Sequence, residues 1–330
     1  MVLLVGLRWE TGTDWTPYLD HFEGIVDFES TSPLLTGMEY GYSILVYLNK
    51  LLFSSYTALL LIHSLIYYFF VFKGIKRLSP YVFLVVLLYS AFTFGVMGSH
   101  RQLIAVALVF YGTKYILSKN AVAYTLIVII ASIFHTTALI CLILYFLNRD
   151  INELFLLAIV CFAFIIGKTS IPERTFELLG AAGGVGDKLK FYLEGGKDLA
   201  KENPVSIIGL AKRLVFVGIF LYSKRMISEK IPHYNAMLNF YVIGLVIYFL
   251  FSSFLTVLVS RGGLYFNIFE PILISCQLLI FRSVKDRMIL TGFLCAFTIF
   301  YFIQSIASYP DLFLPYKGIF INTDYIRDLH

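Results

Sequence analysis

Long apolar runs separated by short polar stretches dominate the chain. They cover residues 54–72, 81–97, 101–117, 121–146, 154–167, 205–222, 238–259, 264–281 and 288–307. Each approaches the roughly 20 residues that a helix needs to cross the hydrocarbon of a bilayer, although several are short. The pattern predicts an all-α, polytopic transmembrane bundle. Two stretches break it. Residues 8–38 are polar and acidic, with Glu10, Asp14, Asp20, Glu23, Asp27 and Glu29 ahead of Ser32-Pro33, and an amphipathic stretch then runs to Leu52. Residues 168–203 are rich in glycine and mixed charge around Tyr192, which predicts a long loop with one short helix from Asp187 onward. Residues 1–7 read as the last turns of a transmembrane helix whose start lies upstream. The expected segments are therefore 1–53 (helix remnant, outer loop and amphipathic helix), 54–167 (membrane helices), 168–204 (outer loop), 205–308 (membrane helices) and 309–330 (outer tail).

Composition agrees with the pattern. Hydrophobic residues make up 59% of the 330 and charged residues 14%, well under the roughly 25% charged residues of a soluble domain. Most cations sit in clusters beside apolar runs, so membrane orientation accounts for the net charge of +5 without nucleic acid as a partner. Cys141, Cys161, Cys276 and Cys295 all lie inside apolar runs without metal or redox spacing.

The clusters Lys73/Lys76/Arg77, Lys114/Lys119, Lys224/Arg225/Lys230 and Arg282/Lys285/Arg287 mark the cytoplasmic side, which places the acidic N-terminal stretch outside. If every run crossed, the Lys224 cluster would fall outside. One run must therefore be re-entrant, either 121–146, broken at His135-Thr136-Thr137, or the short 154–167. On this topology Arg8, Asp14, Glu39, Arg101, the long loop and Arg261 share the outer face.

Several of these residues suit chemistry on an anionic substrate. Arg101, in Ser-His-Arg-Gln, and Arg261, followed by Gly262-Gly263, sit at apolar boundaries where a guanidinium is costly unless an anion meets it. Snorkelling is the bland alternative. Arg8 is a third candidate cation. His135, inside an apolar run, is either functional or bonded to a neighbouring helix, and a break there would expose a half-helix N-terminus that attracts an anion. Asp14, behind Gly12-Thr13, is the candidate general base. A turn-capping role, or a divalent metal shared with Glu39, competes with it, and the absence of a DxD pair weakens the metal reading. Glu39 alternatively serves only as a helix N-terminal charge. No cofactor is expected.

The ordered set of these pieces resembles the EpsG family of polysaccharide biosynthesis membrane proteins, Wzy-like repeat-unit polymerases. The matching residues are Gly6-Leu7-Arg8, Gly12-Thr13-Asp14 with Tyr18, Glu39-Tyr40-Gly41-Tyr42, Arg101-Gln102 with Ala105, Ala131-Ser132-Ile133-Phe134-His135 with Ala138-Leu139, Arg261 with Tyr265-Phe266, and Pro315-Tyr316. The resemblance implies a GT-C-like glycosyltransferase of the bacterial cytoplasmic membrane that joins oligosaccharides carried on undecaprenyl diphosphate, in company with other polysaccharide-assembly proteins. In that reading Arg8, Arg101 and Arg261 bind the diphosphate, Asp14, Glu39 and His135 are the catalytic candidates, and Tyr18, Tyr192 and Tyr265 contact glycan. A transferase using a polyprenyl monophosphate sugar and a lipid-linked oligosaccharide flippase are the alternatives.

Overall fold

The computed structural model describes residues 1–182, 207–307 and 309–327. The expected helix from Asp187 and Tyr192 lie outside them. The regular elements among the described residues are all helices, apart from two isolated bridges at Arg8, Gly318 and Ile321. Four helices are long and apolar enough to cross a membrane, or five if one bent pair counts as a span. The chain is thus a multi-pass membrane protein. It divides into two units, Met1–Leu142 with Ser283–His330, and Ile143–Arg282.

The first unit begins with α1 (Val2–Gly6), α2 (Trp15–Gly24) and α3 (Pro33–Thr36), followed by α4 (Tyr40–Leu52) and α5 (Tyr56–Leu78). The span expected to end at Phe72 continues six residues further, because Lys73, Lys76 and Arg77 end the hydrocarbon but not the helix. Helix α6 (Val82–Thr93) and α7 (His100–Leu117) follow, and α7 packs mainly on α5 and α8 (Ala121–Phe134). Helix α8 stops at His135, whose backbone is extended, and a 3₁₀ segment continues from Thr136 to Leu147. Of the two runs that were candidates for re-entry, 121–146 is thus interrupted at His135.

In the second unit, α9 (Glu153–Ile166) is followed by α10 (Ile171–Ala182), where a loop was expected from residue 168. The two helices make the bent pair, with an angle of 82° between Glu153–Ile166 and Ile171–Leu178. Pro172 lies in the first turn of α10, where its missing N–H costs nothing. Helices α11 (Ile207–Tyr222), α12 (Lys224–Ser228), α13 (Tyr234–Phe251), α14 (Thr256–Asn267) and α15 (Glu270–Cys276) complete the unit. The sequence pattern placed Arg261 between two runs; the chain instead breaks at Ser252–Leu255, and Arg261 lies inside α14. The first unit closes with α16 (Val284–Ala307), packed on α6, and the short α17 (Pro310–Phe313).

Candidate functional site

The site grows from the turn before α2. Gly12 has φ +99, a conformation that favours glycine, and a Cβ there would stand 2.7 Å from Arg8 Nη1. Asp14 follows in the left-handed region at φ 56 and occupies the N-cap position of α2. Its carboxylate caps nothing there, so the turn-capping reading finds no support. One oxygen, Oδ2, accepts from Ser99 Oγ at 3.2 Å, and the side chain is exposed. Gly98 makes that approach feasible, since a Cβ on it would lie 1.7 Å from Thr13 O.

Immediately after Ser99 the first turn of α7 supplies His100 and Arg101. Arg101 Nε donates to Tyr18 Oη at 3.3 Å and Nη1 forms a short ion pair with Glu39 Oε2. Both charged side chains retain 18% exposure, so the pair is partly solvated and open to a ligand. The other Glu39 oxygen accepts from the Thr136 N–H at 3.2 Å. Glu39 thereby ties the N-terminus of α4 to the break in α8, and that half-helix start holds a carboxylate of the chain itself. His135 is buried and its Nδ1 lies 2.6 Å from Thr137 Oγ1, within the break. Gly41 packs against the end of α8, 3.0 Å from Ile133 O to its ideal Cβ, which sets the distance that Glu39 spans.

Arg8 faces inward. At 0% exposure it donates from Nη1 to Thr11 O at 2.6 Å, lies 2.5 Å through Nη2 from His100 Nε2, and stands over the Trp15 ring at 5.5 Å. Among the described residues no carboxylate pairs with it. A guanidinium can only donate. His100 Nε2 must therefore accept, which leaves the His100 proton on Nδ1, directed at Tyr42 Oη 3.1 Å away. His63 Nε2 meets the His100 carbonyl at 2.9 Å. This Arg8–His100–Tyr42 network escaped the sequence reading, which took His100 only as a neighbour of Arg101. Three polar residues separated by 34 and 58 positions give no local spacing to detect.

The arm that carries Asp14 is held from both sides. Lys50 Nζ donates to the Glu23 and Ile25 carbonyls at the C-terminal end of α2, at 3.0 and 2.7 Å. His21 lies 3.2 Å from Ser43 Oγ and stacks on Tyr42. Burial, with the Arg101 and Lys50 cations adding to it, pushes the His21 imidazole down to about 4. Burial likewise raises the Tyr18 phenol, and Arg101 opposes it. On the other side, residues 312–319 form a clasp. Trp9 N–H donates to Lys317 O at 3.0 Å, Ile319 N–H to Leu7 O at 3.0 Å, and Gly12 N–H to Leu312 O at 2.7 Å. Thr11 Oγ1 bonds both Lys317 backbone groups, and Lys317 Nζ pairs with Glu10 at 2.6 Å.

The first unit thus brings together Asp14, Tyr18, Glu39, Arg101 and, through the α8 break, His135. Arg261 and Tyr265 belong to the second unit; Arg261 is exposed and Tyr265 is buried. That unit also holds an ion pair missed in the sequence, Lys212 Nζ to Glu270 Oε1 at 2.8 Å, with both side chains largely buried. Glu270 Oε1 makes this ion contact and no directed hydrogen bond. No group of three or more His, Cys, Asp or Glu side chains suited to a metal ion occurs among the described residues.

No curated protein and no solved structure matches the chain. A sequence model of the EpsG family matches residues 1–318, which contain every site residue described above. A multi-spanning helical bundle whose match to one family runs almost from end to end leaves no ambiguity of membership, and the chain belongs to the EpsG family.

Proposed function

We propose that this chain is a polysaccharide polymerase, a glycosyltransferase that joins lipid-diphosphate-linked oligosaccharide repeats at the outer face of the bacterial cytoplasmic membrane. The observation that carries the reading is the juxtaposition, in an EpsG-family membrane protein, of an exposed carboxylate on Asp14 with a part-exposed guanidinium on Arg101. Ser99 and Arg101 bring the two to the same first turn of α7. The scaffold is read as GT-C-like, with the bent α9–α10 pair as the segment that does not cross.

In the proposed reaction an acceptor sugar hydroxyl attacks the anomeric carbon of the donor glycan. The new C–O bond forms as the bond to the polyprenyl diphosphate breaks, with inversion. The hydroxyl proton passes to Asp14 Oδ1, which makes no hydrogen bond among the described residues, while Ser99 steadies Oδ2. The departing diphosphate takes its charge toward Arg101, whose Nη2 is left open by Tyr18 and Glu39. Glu39 is spent on Arg101 and Thr136, so it acts as a positioning residue, and His135 supports it from within the α8 break. Arg8 is too deep for contact. Its buried, carboxylate-free charge instead raises the positive potential under the site. Arg261, exposed in the second unit, is read as a diphosphate-binding cation of that unit by itself.

The test uses the purified protein with a defined lipid-diphosphate repeat. A ladder of whole repeats is expected. Addition of single sugars from a monophosphate donor would replace the polymerase by a stepwise transferase, and transbilayer movement without a new glycosidic bond would make the chain a flippase.

A further inference from the structure

The opposite end of α7 from Arg101 carries a second arrangement of charge. Arg101 and Lys114 lie thirteen residues apart on this helix, about 20 Å at 1.5 Å per residue. There, Lys114 Nζ donates to Tyr111 Oη at 2.6 Å and stands over the Tyr111 and Tyr115 rings at 3.9 and 4.5 Å. Helix α5 comes unusually close at this level. A Cβ on Gly74 would lie 2.4 Å from the Phe110 ring, so α5 and α7 touch one residue away from both Lys73 and Tyr111. Phe70 packs on Tyr111 with ring centroids 5.1 Å apart. Lys73, next to Gly74, and Arg77, one turn further along α5, therefore lie at the level of Tyr111 and Lys114.

Nothing acidic answers them. The sequence holds no Asp or Glu between Glu39 and Asp150. Among the described residues, Lys73, Lys76, Arg77 and Lys114 form no ion pair. Membrane orientation accounts for cations on this side of the chain, but it does not require three of them to converge on an aromatic floor fixed by a glycine contact. Leu65, Phe69 and Phe72 leave this site along one exposed stripe of α5, a surface for acyl chains rather than for a soluble polyanion.

We propose that Lys73, Arg77 and Lys114, with Tyr111, form a headgroup site for an anionic phospholipid carrying two phosphates, of the diphosphatidylglycerol type. Three cations suit two phosphodiesters, and the guanidinium and ammonium donors outnumber what one phosphate can accept. The lipid would seal the α5–α7 seam at the end remote from the reacting groups.

The experiment is lipid retention by the full-length protein. It is purified into neutral phosphatidylcholine discs, titrated with diphosphatidylglycerol or with phosphatidylglycerol, and read by native mass spectrometry. One tightly held diphosphatidylglycerol is expected, in preference to two phosphatidylglycerols. Lys73 and Arg77 are exposed and Lys114 is half-buried, so K73Q/R77Q/K114Q removes the charges without opening the core and should bind about a hundredfold more weakly, since each cation near a membrane surface contributes roughly fivefold. K285Q/R287Q, on the first turns of α16, serves as the control and should bind as the parent does. Equal weakening by both variants would reduce the site to general surface attraction. Equal retention of the two lipids, or undiminished binding by the triple variant, would overturn the proposal outright.

Discussion

Asp14 is exposed, left-handed and bonded only through one carboxylate oxygen. D14N keeps the Ser99 contact and removes the basic oxygen. Ladder formation should fall by about 10² to 10⁴, the usual range for losing a positioned base, while the protein inserts and binds lipid-linked donor as before. Wild-type polymerisation by this variant would return Asp14 to the status of a turn residue. On this arm, His21 contributes to the acid side of the pH response. Above about 6.5, the ordinary imidazole value, His21 is neutral in folded and unfolded chains alike. Between that value and about 4, only the unfolded chain binds the proton. Stability is therefore lost as pH falls through this window and levels off below it. H21Q should flatten that slope, read by tryptophan fluorescence. The chain's two tryptophans, Trp9 and Trp15, both sit on this arm with rings 5.3 Å apart, so the signal is local. Part of this arrangement was legible in the sequence, because Gly12-Thr13-Asp14 interrupts the apolar pattern with a polar turn and Arg101 sits at an apolar boundary where a guanidinium is costly. The inward turn of Arg8 was not, since nothing in Gly-Leu-Arg tells whether the guanidinium meets a ligand or His100.

Among the elements, the break in α8 is the one on which the charged pair depends. Glu39 answers both Arg101 and the Thr136 N–H, so its two functions can be separated by substitution. E39Q retains an acceptor for Thr136 and should impair turnover through Arg101 alone. E39A leaves Arg101 and the half-helix end without a partner, and should also lower the thermal midpoint by several degrees, as losing about 1–2 kcal/mol does. Equal melting of the two variants would show that Thr136 does not depend on Glu39. The break itself was readable, since His135-Thr136-Thr137 interrupts an apolar run. The ends of other elements were not. Lys73 to Arg77 and Arg261 were taken as boundaries because charge leaves the hydrocarbon, yet charge does not stop a helix, and the backbone runs on through both. The bend of 82° after α9 bears on orientation. A single cysteine at Ser228 should label only from the inside; labelling from outside would require every apolar run to cross.

For the whole molecule, the two units differ in how they hold charge. The first leaves Arg8 without a carboxylate, whereas the second buries Lys212 against Glu270. Removing one partner strands the other in an apolar setting, so E270Q and K212M should each destabilise the protein by about 3–5 kcal/mol, and the double variant should recover much of that loss. Additive losses, measured by thermal unfolding in detergent, would mean the pair is not coupled. Nothing in the sequence hinted at this pairing, because 58 residues separate its members, Lys212 stands beside Arg213, and Glu270 is a lone charge within an apolar pattern.

The clasp between residues 7–12 and 312–319 has a consequence for how the protein is made. Thr11 Oγ1 and Lys317 are 306 positions apart in the chain, and a ribosome adds roughly 5–20 residues per second. The arm bearing Asp14 therefore waits roughly 15–60 s after its own synthesis for the strand that fastens it. A nascent chain halted after Ala307 should insert all its long helices and yet be unable to fix Asp14 beside Ser99. Under the proposed function, activity would then appear only with the last segment delivered, and partly made chains in the membrane would not begin polymerising.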